Sequence, residues 1–192
     1  MKGFVYVLIA VLALGFAGCS GVDSRYGKDI AAAERLMAAD TDSALAILEA
    51  IDPAEVDIDS LKADLIFLKA YGHMRQNRSM IADSLISFAQ DYYRGRDIVK
   101  DIRSGLVLAW YKFWVGDTRG SIAMLDSLAG LPDVPDSLMA QTLRIRVLLG
   151  ASEYQGREII RLAKRLHQLE RDTLRRVEAK YMLMGGYLYA AM

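Results

Sequence analysis

The sequence predicts an all-α chain made of antiparallel helix pairs, and three observations carry that prediction. From Lys28 onward the apolar residues recur at helical spacing almost without interruption. Only three prolines occur in 192 residues, and the long stretches of Ala, Leu, Met, Glu and Arg favour helix. The third observation is the stretch Ala109 to Leu128, which condenses the whole pattern. An apolar segment holding Trp110, Phe113 and Trp114 ends at Val115-Gly116-Asp117, and Ile122, Leu125 and Leu128 then line one face of a second segment. Gly116 can take the positive φ that ends a helix, and Asp117 and Thr118 can cap the next one.

Taken in order, residues 1–18 carry one basic residue, Lys2, then an uncharged run from Phe4 to Ala17, then Gly18 before Cys19. That is the layout of a secretory signal. The run is shorter than the roughly 20 residues that span a bilayer. Small residues directly before a cysteine resemble the bacterial lipobox, with Phe16 in place of the usual leucine. The resemblance implies that Cys19 is lipidated and becomes the mature N-terminus. An ordinary signal peptide with an incidental cysteine is the plainer alternative. Residues 19–28 read as a short polar tether, and 29–192 as a helical repeat domain. Within it the pattern predicts helices over 29–39, 43–51, 60–76, 79–93, 97–115, 118–128, 136–149, 153–169 and 172–192. Asp40-Thr41-Asp42, Asp52-Pro53, Asn77-Arg78, Arg94-Gly95-Arg96, Leu131 to Pro135 and Gly150-Ala151 form the turns, Asp136 and Asp172 are N-caps, and 53–59 is an acidic loop.

Composition narrows the function. Lys+Arg and Asp+Glu both number 24, so the basic excess of a nucleic-acid binder is missing and no nucleic acid is expected as partner. One cysteine and two histidines exclude a disulfide framework and leave too few soft ligands for structural zinc. No phosphate loop, nucleophile elbow or His-Glu-x-x-His run occurs. His73 and His167 read as helix-surface or groove residues, and Asp52, Glu55, Asp57 and Asp59 as a solvated acidic loop that lacks the glycine and terminal glutamate of a calcium hand. No catalytic residue, metal or cofactor is therefore expected. Asp23 to Asp64 holds 11 acids and 4 bases, whereas Glu153 to Lys180 holds 8 bases and 5 acids. Such an array could steer a charged ligand or stack end to end; exposed helix faces that simply carry charge are the simpler account.

An internal repeat links the pairs. Leu45, Leu85, Ile122 and Ile159 fall in register at steps of 40, 37 and 37 residues, and Leu48, Phe88, Leu125 and Leu162 follow each by three. Ala44, Ser84 and Ser121 place a small residue just before, which close helix packing needs, and Glu158 breaks the rule. Gly72 and Ala109 repeat in the first helices, with Arg146 as the odd equivalent.

These residues resemble a tetratricopeptide-repeat protein. Tyr181, Met184-Gly185 and Leu188 are similar to the spacing of that family's first helix, and Gly116-Asp117 and Glu153-Tyr154 to its inter-helix turn. The phrase Asp42 to Asp52, with Asp83-Ser84-Leu85-Ile86 and Asp91-Tyr92-Tyr93, looks like the tetratricopeptide-repeat lipoproteins of the Bacteroidetes type. The family period is 34 residues, so the spacing here implies longer loops. The resemblance implies a right-handed α-α superhelix, a tetratricopeptide-like solenoid with a concave groove that holds peptides. Placing Gly72 and Ala109 at the family's small position sets Lys69, His73, Arg103 and Trp110 in that groove.

The expectation is a non-catalytic, membrane-anchored scaffold for a protein or peptide partner in the bacterial cell envelope. Lipidated Cys19 would attach it to the outer membrane, facing the periplasm. A glycan-binding or glycan-processing lipoprotein is one alternative, since Trp110 and Trp114 can stack on sugar rings; a sensory domain cut short is another. The last helix lacks a polar outer face, which points to cover by a partner, to self-association or to missing sequence.

Overall fold

The structure is a computed structural model describing residues 19–153 and 155–191, with side chains except those of 19–25 and Ser152. The expected signal peptide, 1–18, lies outside the described residues. Among them the chain is all-α, with nine α-helices, one 3₁₀ turn and no strand. It divides into two compact units, Met1–Arg78 and Ser79–Met192.

The first unit holds α1 (Cys19–Leu36), α2 (Thr41–Glu49), a 3₁₀ turn (Pro53–Glu55) and α3 (Asp59–Arg75). Each of the three helices contacts the other two. The expected tether over 19–28 is instead the first part of α1. No proline interrupts it, and its far end is docked: the Tyr26 hydroxyl donates to the Glu55 carboxylate at 2.6 Å, and Gly27 lies beside Leu61. Asp40 caps α2 by accepting from the Ser43 amide at 3.0 Å, and Asp52 caps the 3₁₀ turn through the Ala54 amide at 2.8 Å. Ile30, Ala33, Met37, Leu45, Leu48 and Val56 are buried. At Gly72 a Cβ would stand 2.6 Å from Leu45 Cδ2, so a glycine lets α3 lie directly on the repeat leucine of α2.

The second unit holds α4 (Ile86–Tyr93), α5 (Ile98–Trp114), α6 (Thr118–Ala129), α7 (Asp136–Ser152), α8 (Gly156–Leu169) and α9 (Thr173–Ala191). Each helix packs on its sequence neighbours; α7 also touches α5 and α9, whereas α4, α6 and α8 do not approach one another. Two apolar clusters share α7. Leu138 and Leu149 join Ile102, Leu106, Ala109, Leu125 and Leu128 on one side. Met139, Leu143 and Val147 join Ile159, Leu162, Ala163, Leu166 and Ala179 on the other. Burying each large aliphatic side chain contributes about 1.5–3 kcal/mol, so α7 is the member through which the two clusters depend on each other.

Three sequence expectations in this unit are corrected. The helix predicted over 79–93 forms only from Ile86; 79–85 are turns and irregular backbone. Asn77 takes a φ of 52° that stops α3, and Ser79, Asp83 and Ser84 offer local polar partners that compete with helix. The repeat slips by one residue here, leaving Leu85 53% exposed and Ile86 buried. Asp136 is the first residue of α7 rather than its cap, since Pro135 holds the cap position. Gly150 and Ala151 stay helical and the helix runs on to Ser152, with Glu153 as its C-cap, because Gly150 serves packing: a Cβ there would lie 3.1 Å from Arg146 Nη1 and 3.3 Å from Ile159 Cγ1. The other caps stand as read. Gly116 has φ +85°, Asp117 accepts from the Gly120 amide at 2.8 Å, and Asp172 accepts from the Arg175 amide at 3.0 Å.

Candidate functional site

The four residues set in a groove by the sequence fall two to each unit: Lys69 and His73 on α3, Arg103 and Trp110 on α5. In the first unit both side chains are engaged with the end of α2. Lys69 Nζ donates to the Ile51 carbonyl at 2.7 Å, satisfying backbone beyond the α2 C-terminus. His73 Nε2 lies 3.5 Å from Glu49 Oε1, and Arg78 reaches the same carboxylate at 3.9 Å. Gln76 Nε2 donates to Asp42 Oδ1 at 2.6 Å. This polar seam closes α3 onto α2.

In the second unit Arg103 is exposed and Trp110 half-buried. They are seven residues apart on α5, so they share one face, about 10 Å apart along the axis. Trp110 packs against the α5–α6–α7 cluster and stacks on Phe113, with ring centroids 5.6 Å apart and planes inclined by 27°. Phe113, Trp114 and Val115 are exposed at the same helix end. The sequence placed these aromatics around one helix; the structure adds that they form a continuous rim leading into the capped turn.

That turn is held by charge. Lys112 Nζ lies 3.0 Å from Asp117 Oδ2. The Gly120 amide, followed by Lys112, holds the Asp117 carboxyl below the usual carboxylate range. A Cβ at Gly120 would stand 2.0 Å from Asp117 Oδ2, so glycine there is what leaves room for the cap. The rim therefore sits on a fixed support rather than a loose loop.

Two polar clusters escaped the sequence reading. At the α4–α5 junction the buried Asp101 carboxylate accepts from Gln90 Nε2 at 2.6 Å and from the Gly95 amide at 3.2 Å. Ser104 Oγ donates to Gln90 Oε1 at 2.8 Å. Asp101 and Ser104, set on either side of Ile102 on a largely apolar stretch of helix, were the available signal. The cluster borders a cavity of about 430 Å³, also lined by Arg94, Lys112, Met124 and Leu131. Its carboxylate is satisfied by hydrogen bonds that tie the α4–α5 turn, which is structural work.

The second cluster explains the exception in the repeat. Arg146, 4% exposed, donates through Nε to Asp126 Oδ1 at 2.8 Å and through Nη2 to Gln155 Oε1 at 3.0 Å. It thus joins α6 to the N-cap of α8 where a small residue was expected. A second cleft of 450 Å³ lies between the start of α7 and the α8–α9 turn, lined by Asp136, Ser137, Glu170, Arg171, Asp172 and Arg175. Opposite charges alternate around it, and Arg171 reaches Asp136 at 3.6 Å.

Among the described residues no group of three or more His, Cys, Asp or Glu side chains is placed to hold a metal ion, and no helix is long and apolar enough to cross a membrane. The chain matches no protein-family model, no curated protein and no solved structure in the three comparisons made.

Proposed function

We propose that the chain is a non-catalytic, lipid-anchored helical-repeat scaffold of the tetratricopeptide type, which binds a protein or extended peptide in the cell envelope. Anchorage rests on the cysteine and the small residues before it, with the outer membrane and a periplasmic orientation as the setting. The repeat reading is supported by helices that stack on sequence neighbours within each unit. It is supported further by the second unit's next-but-one contacts, which run through α5, α7 and α9 alone. A layer whose members touch, opposite one whose members do not, curves toward the touching side, and α5 belongs to that side.

The observation that carries the reading is the aromatic rim of α5, with Trp110 stacked on Phe113, Trp114 exposed beside them and Arg103 further along. Exposed aromatics on a rigid helix are the residues that anchor partner chains at little entropic cost. A photo-crosslinking residue at position 113, in the full chain on its native membrane, should capture a defined envelope protein. Trp114→Ala should weaken that capture about tenfold. Lys69→Ala is the comparison, since its change acts on the α2–α3 seam and should leave partner identity unaltered. The same partners at the same yield in Trp114→Ala and wild type would remove the rim from the argument. A glycan ligand is the second reading, favoured by the same exposed Trp114; polysaccharide that protects Trp114 fluorescence from quenching while no protein is captured would select it.

A further inference from the structure

The last helix presents two opposite faces, and only one is used. Ala179 and Gly186 are buried, and Met182, Leu183 and Tyr189 pack into the α7–α8–α9 cluster. On the other side Leu174, Val177, Tyr181, Met184, Tyr187 and Leu188 are between 45% and 74% exposed. Five of them, at 174, 177, 181, 184 and 188, follow the alternating three-and-four spacing of a helix-pairing seam. Together the six expose roughly 700 Å² of side chain, above the 300–600 Å² patch of an ordinary monomer and close to the roughly 800 Å² that each partner gives to a stable pair.

We infer that this face is a self-association surface, on which α9 of one copy pairs antiparallel with α9 of a second. The exposed area and a seam that is its own complement select a second copy as the occupant, and the charge distribution selects its direction. Arg175, Arg176 and Lys180 lie in the first half of α9, and Tyr181 to Ala191 carries no charge at all. Parallel pairing would set the basic halves side by side, whereas antiparallel pairing sets each against an uncharged half. With the two-fold axis between Met182 and Leu183, Leu174 meets Ala191 of the other copy, Val177 meets Leu188, and Tyr181 meets Met184. The seam is then used along its whole length, about 26 Å at 1.5 Å per residue. Beside it Lys180 meets the Tyr187 ring, a cation–π arrangement, and Glu178 meets Gly185, where a Cβ would find open space. Each copy contributes the same patch, as a two-fold interface requires. The inference stands apart from the aromatic rim on α5, and either can fail alone.

The test uses the full chain. A photo-crosslinker at position 184 should yield a covalent dimer on the native membrane, and one at Lys164, exposed on α8, should not. The purified protein should have the mass of a dimer by light scattering. Tyr181→Glu with Met184→Glu should raise the dimer dissociation constant at least about 100-fold while circular dichroism stays unchanged. Leu174→Glu, at the most exposed position, should weaken the dimer in the same direction should the double variant lose helix content. A monomer at about 100 µM, a dimer that survives these charges, or position-184 crosslinks that go to lipid or to a different protein would each overturn the inference.

Discussion

Two adjacent glycines of α9 should respond to the same substitution in opposite directions. Gly185 and Gly186 are both interior to the helix, so alanine at either gains about 1 kcal/mol of backbone stabilisation. Around Gly185 a Cβ meets nothing within 4 Å. At Gly186 it would stand 2.8 Å from Ile159 Cγ2, 3.0 Å from Ile160 Cγ1 and 3.0 Å from the Ile160 backbone nitrogen. The isoleucine side chains can turn, but the backbone nitrogen cannot. Helix α9 must therefore move about half an ångström off α8, loosening Ile159, Leu162 and Ala163 against it. Overpacking of that kind costs about 1–3 kcal/mol. Gly185→Ala should then stabilise by about 1 kcal/mol and Gly186→Ala destabilise by about 1, a difference of about 2. For a chain of this length that separates the two midpoints by about 4–8 °C. Thermal unfolding followed by circular dichroism reads it, in the Tyr181→Glu, Met184→Glu background so that only the α8 contact is sampled. Midpoints within 1 °C of each other, or Gly186→Ala as the more stable, would refute the close-approach reasoning.

Arg146 and Asp126 should be asymmetric. Asp126→Ala leaves a buried guanidinium without its bonded carboxylate, hydrogen-bonded to Gln155, and should cost about 3 kcal/mol, whereas Arg146→Met leaves a carboxylate that is 49% exposed and rehydrates, costing under about 1 kcal/mol; urea unfolding ranks the two. The Asp117 cap should show in acid. Its carboxyl is held low in the folded chain, so its contribution is complete above the unfolded value of about 3.9 and is lost as pH falls through the lower folded value. Urea midpoints between about pH 5 and pH 2 should fall less steeply in Asp117→Asn than in wild type.

What the sequence disclosed was local chemistry. Asp40, Asp117 and Asp172 each bond the amide three residues ahead, and the φ of Gly116 is fixed by its own turn, so nothing distant was needed to read them. Helix type followed from periodicity for the same reason. The errors fall where distant residues decide. Gly150 looked like a turn because its partners, Arg146 and Ile159, appear only after α7 and α8 have packed. The segment 19–28 looked like a tether because the acceptor for Tyr26 is 29 residues away. Leu85 fitted the repeat, but turn-forming polar residues before it moved the helix start and put Ile86 inside instead. The same division holds for the candidate site. Arg103 and Trp110 share a face by spacing alone, while the ties of Lys69 to Ile51 and of His73 to Glu49, 18 and 24 residues back, are long-range. Arg146 was visible only as a misfit in the repeat, and its reason lay in Asp126 and Gln155.

The unequal layers of the second unit bear on how it yields under load. Pivoting neighbouring pairs about the α5–α7–α9 line separates α4, α6 and α8, which were never packed together, so that motion breaks few contacts. Between α6 and α8 the guanidinium of Arg146 spans the gap and limits the opening. Between α4 and α6 there is instead a cavity of 430 Å³. Compliance is thus concentrated at the joint beside the aromatic end of α5, where a small rotation can open or close the gap without rebuilding the core.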